Sequence, residues 1–553
     1  MKYTHKILNL VLCFSTVLFL DGCKSVLDIN TDPNNPTTAA NDLLLTNSEV
    51  AVMSRFASQQ NDLASITGMV GVENFSRSNN SYDFLWTNMY STPLQDIEKI
   101  IAGAQLSPVM LGIAQTLKAY SFATMVDLYG DLPFSQALQG DAATPISNPT
   151  FDKDADVYNA CLALLDQAIV NLAKSSPVSI TGDIIYSGSA AKWTKLANTL
   201  KLKLLITGRL AIPSAAAQIN SLITAGGFIT GTGGDDFTFQ FSKDPTSNRH
   251  PWFTGNYTGG EFTNTYVDEQ IMVEMLEDGD PRWPFYFRRQ YSGPQLNVAD
   301  PTDRSNIPGF GFPTTYGYII ANPKILARLY TNKGKTMTKA DSTFIIGVFG
   351  RDRGDASGLP QDQTYRTIPG VYPAGGYYDV TAAAIPAAEK ATGGGIFPAL
   401  TSVNVKYYTI EAILKTGATG DAKAIFESAI REHIAKVAAF GASADANSVA
   451  PAKAVVDTLV SKWLARWDAT ADNDGKLNVA MKQLWFSSWG NAFEVYNSIR
   501  RTGYPNTLQI PIVKEPRGFP LRLPYSSTEL ARNPNAANYK NVIYDKDKIF
   551  WGM

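Results

Sequence analysis

Apolar residues recur at helical spacing in two separated stretches of this chain, and the long stretch between them has lost that spacing. On the N-terminal side, Ile113, Leu117, Tyr120 and Leu128 predict a helix over 111–129, stopped by Gly130-Asp131-Leu132-Pro133. Val157, Leu164, Leu165, Ile169 and Leu172 form the apolar face of a second helix over 152–173. Trp193, Ala197, Leu200 and Leu204 mark a third over 190–211, and Pro213 separates it from a short helix ending at Gly226-Gly227. On the C-terminal side, helices are predicted at 404–415 and 421–440, and Val455, Leu459, Trp463 and Trp467 mark another. Met481, Trp485, Trp489, Phe493 and Tyr496 fit one last helix, closed by Gly503 and Pro505, and the tail 506–553 reads as Pro- and Asn-rich coil.

The middle is different. Over 226–320 and 340–403, Gly, Pro, Asn and aromatic residues dominate, and only 319–330 between them reads as helix. Loops of this length are functional or disordered. Aromatic residues make up 11% of the chain and are dense here, which argues against disorder.

Residues 404–430 give the architecture. Tyr407, Ala412 and Leu414 lie on one helix, Gly420-Asp421 makes a turn, and Ala424, Phe426, Ala429 and Ile430 lie on the next. Small residues opposite large ones across a helix–turn–helix pair are what tetratricopeptide packing requires. The expected fold is mainly α: a tetratricopeptide-like, right-handed superhelical scaffold carrying a loop-rich, aromatic-rich insertion.

The first residues are an export signal. Lys2, His5 and Lys6 are basic, and Ile7–Leu20 is an apolar run too short to span a bilayer. Leu20-Asp21-Gly22-Cys23 then places a cysteine where a bacterial lipoprotein takes its lipid, although Asp21 departs from the usual small or apolar residue. The expected organisation is a signal peptide over 1–22, a lipidated tether over 23–41 and a single domain over 42–553. Within that domain the scaffold occupies about 42–225 and 404–505, and the ligand-facing region about 226–403.

Composition excludes several function classes. The net charge is −2 with no block of like charges, so nothing favours nucleic acid as a partner. Beyond the signal and Cys23, Cys161 is alone on an apolar helical face, which leaves no internal disulfide and suggests a buried thiol. His250 and His433 are too few for a multi-histidine metal site and make a Ser–His–Asp hydrolase a poor fit. Asp472-Asn473-Asp474-Gly475 resembles the start of a calcium loop but lacks the closing glutamate, so a turn is the better reading. Gly231-Thr232-Gly233-Gly234 lacks the strand and helix that a phosphate cradle needs. No cofactor is expected. Glu261, Asp268, Glu269, Glu274, Glu277, Asp278 and Asp280 could supply a glycosidase pair, although charged helix faces look the same.

Several ordered segments resemble the SusD/RagB family of outer-membrane nutrient-binding lipoproteins. They are Leu27-Asp28-Ile29-Asn30-Thr31-Asp32-Pro33-Asn34; Trp86 and Tyr90 followed by Asp96-Ile97; Asp127-Leu128-Tyr129-Gly130-Asp131-Leu132-Pro133-Phe134; Asp280-Pro281-Arg282; and Glu494 through Arg500-Arg501-Thr502-Gly503-Tyr504-Pro505. The resemblance implies a lipid-anchored protein of the outer-membrane surface. It implies a TonB-dependent, SusC-like transporter as partner, and capture of an oligosaccharide, or in some members a peptide, without catalysis. These motifs look structural and carry no binding residue with them.

Sugar recognition needs exposed rings beside amides, carboxylates or guanidinium groups. Three loop stretches fit. They nominate Asn74, Arg77, Asn79 and Tyr82; Trp252 and Tyr257; and Trp283, Tyr291, Phe312 and Tyr316. Packing of loops onto the helices also demands aromatics. Trp86, Trp193, Trp463, Trp485 and Trp489 keep helical spacing and are expected in the core. Two other functions stay open: a secreted glycan-degrading enzyme, and a structural lid with a peptide or no ligand.

Overall fold

The computed structural model describes residues 40–71, 77–104, 107–140, 144–258, 266–289, 350–351, 353–354, 367–379, 391–511 and 518–553. Cys23, Asn74, Glu261, Tyr291, Phe312, Tyr316 and the helix expected at 319–330 lie outside them.

Helices α1 (Asn41–Ile66), α2 (Asp83–Ser91), α3 (Pro93–Gly103), α4 (Pro108–Tyr129), α5 (Asp154–Leu172), α6 (Ala190–Thr207) and α7 (Ala215–Ala225) form the first half of the scaffold. Helices α1 and α3, α4 and α5, and α6 and α7 pack as successive pairs. The spacing seen in the sequence is the cause: Val157, Cys161, Leu165, Ala168 and Leu172 make one buried stripe on α5. Burial pushes the Cys161 thiol up to about 12, so it is a core residue and no nucleophile.

Past the middle region, α11 (Ser402–Thr416) pairs with α12 (Ala422–Ala444), and α13 (Lys453–Asp468) with α14 (Asn473–Ser487). Helix α11 also packs on α6 and α7, which joins the two halves. Tyr407, Ala412, Phe426, Ala429 and Ile430 are buried as the alternation requires. Ala424 is exposed instead, because it sits in the first turn of α12, where its amide meets the Asp421 cap at 3.0 Å. Asp472 caps α14 through Gly475 N at 2.6 Å, so the Asp-rich segment is a helix start.

The single last helix expected from 481–496 is two. Helix α14 ends at Ser487, and α15 (Phe493–Thr502) begins after a break at Gly490. Gly490 has φ +96°, and a Cβ there would lie 2.4 Å from the Pro373 ring. Only glycine allows that approach.

The middle region holds more regular structure than its composition suggests. It contains β1 (Phe237–Gln240), α8 (Pro251–Tyr257), α9 (Glu269–Asp278), α10 (Trp283–Tyr286), β2 (Phe287–Arg288), β3 (Ile368–Pro369) and β4 (Ile396–Leu400). Strands β1 and β4 pair antiparallel with Phe239 opposite Phe397, which ties together the two ends of the insertion. Asp268 caps α9 and Gly279 ends it in the left-handed conformation; the surrounding Gly- and aromatic-rich loops hid this short helix from a periodicity reading. The tail is mostly irregular but contains α16 (Ser527–Arg532). It packs inward, burying Leu523, Tyr525, Ile549 and Trp551.

One cluster of buried apolar residues runs from Leu45 to Trp551 and includes Trp86, Trp193, Trp463, Trp485 and Trp489, as their spacing predicts. Among the described residues, no helix is long and apolar enough to cross a membrane.

Candidate functional site

Helix α1 buries Met53, Phe56, Ala57, Gln60 and Leu63. Arg55, Ser58, Gln59 and Asp62 share its opposite face, at the i, i+3, i+4, i+7 spacing of one helical stripe. Residues 77–85 run past that face and close a cleft of about 410 Å³. Asp62 organises it: Arg77 Nε lies 3.1 Å from Oδ1, and Tyr82 Oη donates to Oδ2 at 2.9 Å. Burial, and then the Asp62 charge, hold the Tyr82 hydroxyl well above the usual phenol range, so it stays a donor. The segment is also tied to the tail. Arg77 N donates to Tyr544 Oη at 3.1 Å, and Asn79 Nδ2 to Tyr525 O at 2.8 Å.

Two features of this cleft stand out, an open ring and an unpartnered buried donor. Phe84 is 67% exposed, the most open ring among the described residues. The Nε of Arg55 is buried and has no hydrogen-bond partner among the described residues. A buried unsatisfied donor is costly. Burial also lowers the Arg55 pKa, which stays a cation. Exposed Ser78 and Ser81 line the same cleft, and Asn88 follows Phe84 one turn on, its Nδ2 bonded to Phe84 O at 2.7 Å. The arrangement is a flat apolar face beside hydroxyls, amides and the guanidinium groups of Arg55 and Arg77, the composition that sugar hydroxyls and ring faces require.

Of the residues nominated from sequence, Arg77 and Tyr82 line this cleft, and Asn79 stands beside it, turned to the tail. Trp252 lies behind it, with Nε1 donating to Asn61 Oδ1 at 2.9 Å and its ring 4.7 Å from that of Trp489. His250 accepts from Trp252 N at 3.1 Å, and burial pushes His250 down to about 3, the neutral form this cap needs. Tyr257 stacks on Phe253 at 4.9 Å and donates to Pro369 O at 2.7 Å. Trp283 is 5% exposed, and its Nε1 donates to Met272 O at 3.1 Å. Tyr82, Trp252 and Trp283 are thus wall and core rings with no face open to solvent. Sequence reasoning did not nominate Phe84 or Arg55, which also line this cleft. The signal for Phe84 was available: on α2 the buried stripe is Leu85, Trp86 and Met89, and Phe84 falls off it.

The family-like segments hold the scaffold. Arg282 is fully buried on Asp280, with Nε 2.9 Å from Oδ1, and donates to Gln483 Oε1 at 3.0 Å. Asp127 accepts from Asn497 Nδ2 at 2.7 Å and Trp551 Nε1 at 3.1 Å. Gly130 turns at φ +80°, and Asp131 accepts from Asp154 N at 2.9 Å and Tyr539 Oη at 2.9 Å.

Residues 33–307 match the family described as starch-binding and associating with the outer membrane, and residues 387–548 match the family of SusD and RagB outer-membrane lipoproteins. A solved chitin-binding protein is similar at 18% identity with TM-score 0.67, the match covering 93% of this chain and 100% of that one. A SusD/RagB family protein from Bacteroides thetaiotaomicron is similar at 19% identity with TM-score 0.66 and the same coverage. A SusD homologue from Bacteroides fragilis is similar at 18% identity with TM-score 0.65, covering 93% of this chain and 99% of its own. At these identities the structures speak for the fold, which in SusD-like proteins is the tetratricopeptide-like helical one. No curated protein matches the chain in sequence. The ordered motifs, the paired-helix scaffold and the two family matches together place this chain in the SusD/RagB family of nutrient-binding outer-membrane lipoproteins.

Proposed function

We propose that this protein, anchored through a lipid on Cys23, binds an oligosaccharide in the cleft between α1 and residues 77–85. It then delivers that ligand to a TonB-dependent, SusC-like transporter and breaks no bond. The observation that carries this reading is the open Phe84 ring beside the unpartnered Arg55 Nε. The ring would stack on a pyranose face, and Arg55, Ser78 and Ser81 would meet its hydroxyls. The glycan class is supported by the starch-binding description of the family matching 33–307 and by the chitin-binding protein that shares the fold.

Binding without turnover is supported by the carboxylates. Glycoside hydrolysis takes two facing carboxyl groups. Asp62 is the one carboxylate among the described lining residues, and it is engaged by Arg77 and Tyr82. Three of the other candidates have structural partners: Asp268 caps α9, Asp278 holds Arg466 and Asp280 holds Arg282. Calorimetric titration of the purified protein with maltose- and chitin-series oligosaccharides, with a product assay on every binder, tests the reading. Binding with the ligand recovered intact supports it; a cleaved product overturns it in favour of an enzyme.

A further inference from the structure

Among the described residues, Arg55, Asp62 and Arg77 are the charged side chains that line the Phe84 cleft. Two of them cancel. Arg77 Nε lies 3.1 Å from Asp62 Oδ1, in a pair whose arginine is 3% exposed. Tyr82 Oη donates to the same carboxylate at 2.9 Å, and Gln59 Nε2 at 3.5 Å. Asp83 adjoins the ring in sequence but does not line the cleft. Its carboxylate accepts from the Ser526 and Ser527 hydroxyls and, at 3.0 Å, from Thr528 N.

Arg55 is left over. It makes no hydrogen bond or ion pair with a described residue. The sequence explains why its own helix supplies none: the positions three and four residues away are Ala51, Val52, Ser58 and Gln59, with no acid among them. Its Nε is buried in the wall, while the Nη groups keep access to the cleft. Burial lowers its pKa, but a guanidinium stays a cation. A half-buried cation without a counter-charge is costly to the folded chain alone, and groups perturbed in this way cluster at functional sites.

The chemistry of that cation selects its acceptor. A guanidinium only donates, through a planar fork that fits the two oxygens of a carboxylate. Such charge-assisted hydrogen bonds are roughly twice as strong as those to a neutral hydroxyl. Resting on the reading of this cleft as a glycan site, we infer that its ligand is an acidic glycan, whose hexuronate carboxylate meets Arg55 while a sugar face lies on Phe84. A hexuronate carries its carboxylate at the ring edge, so the face stays free to stack. Arg55 is then the residue that sets specificity, and Phe84 is the surface that charged and neutral glycans share.

Calorimetry on the purified protein tests this by comparing oligogalacturonates, oligomannuronates and hyaluronan oligosaccharides with the same chains after methyl esterification of their carboxyls. At least one acid is expected to bind about tenfold or more tightly than its ester and to weaken with added salt. Arg55→Gln is expected to bring the ratio of acid to ester affinity close to one, and Arg55→Lys to restore part of it. Phe84→Ala weakens acid and ester alike. The comparison of acid with ester is made on the parent and does not depend on the folding of a variant. Equal affinity for acid and ester overturns the inference; if Phe84→Ala weakens both, the glycan reading stands. Binding of no acid, ester, maltose-series or chitin-series oligosaccharide overturns both. A preference for the acid that survives Arg55→Gln overturns the inference, as does tighter binding of a sulfated galactose oligosaccharide than of any uronate.

Discussion

Arg77 reaches Asp62 across the floor of the cleft, Nε to Oδ1 at 3.1 Å, and this contact sets where the 77–85 segment lies against α1. The arginine side chain is 3% exposed and the aspartate 24%, so the pair is shielded from solvent more than a surface ion pair. Replacing Asp62 by Ala leaves Arg77 and the Tyr82 hydroxyl without their shared acceptor. The expected cost is about 1–3 kcal/mol of stability, with loss of oligosaccharide binding. Denaturant titration and calorimetry on the variant measure both; unchanged binding would separate Asp62 from the site.

Glu411 holds the two halves of the scaffold together. It accepts from Arg501 Nη2 at 2.9 Å and from Arg209 Nε at 2.9 Å, and it is fully buried. The two guanidinium groups hold its carboxyl below the usual range despite burial. Glu411→Ala strands two cations and is expected to cost about 3–5 kcal/mol, read as a fall in denaturation midpoint. This places the Arg-Arg-Thr-Gly-Tyr-Pro motif in folding and not in recognition.

Stability should fall on acidification. Burial lowers the pKa of His250 and His433, the first to about 3. The unfolded chain therefore takes up these protons near pH 6.5 while the folded chain does not. The stabilisation is present above pH 6.5 and is lost as pH falls toward 3, at up to about 1.4 kcal/mol per pH unit for each histidine. Urea titrations at pH 7 and pH 5 test the slope.

Glu49 works in the opposite direction. Burial and the neighbouring Asp183 raise its pKa well above the usual carboxylate range. Its protonated form is favoured by folding, so its contribution is present below the unfolded pKa and fades as pH rises through the shifted value. Glu49→Gln should flatten this part of the profile and raise stability at pH 8 relative to the parent. No change at pH 8 would show that folding does not raise the pKa of this carboxyl.

Gly490→Ala tests the break between α14 and α15. A Cβ would strike Pro373 at 2.4 Å and strain the left-handed backbone, so a loss of at least about 1–2 kcal/mol is expected.

The long helices were legible because their apolar stripes are buried on one face, as on α5 and α12. The α14–α15 break was not, because Trp485, Trp489 and Phe493 keep helical spacing while the chain turns at Gly490 to bring Trp489 onto Tyr372 O at 3.2 Å. Helix α9 was hidden by its short length and its loop neighbours. The candidate site was half legible. Polar loop residues named Arg77 and Tyr82, but aromatic density drew attention to Trp252 and Trp283, whose size suits the core as well as it suits a sugar. Exposure separates the two roles, and exposure is set by tertiary packing.

The central claim is that Phe84 is a stacking surface for a glycan, and titration of Phe84→Ala beside the parent tests it most directly. The ring is open, so stability should change by less than about 0.5 kcal/mol. Affinity for the parent's best oligosaccharide should fall at least tenfold, about 1.4 kcal/mol. An unchanged affinity in a folded variant would contradict the account.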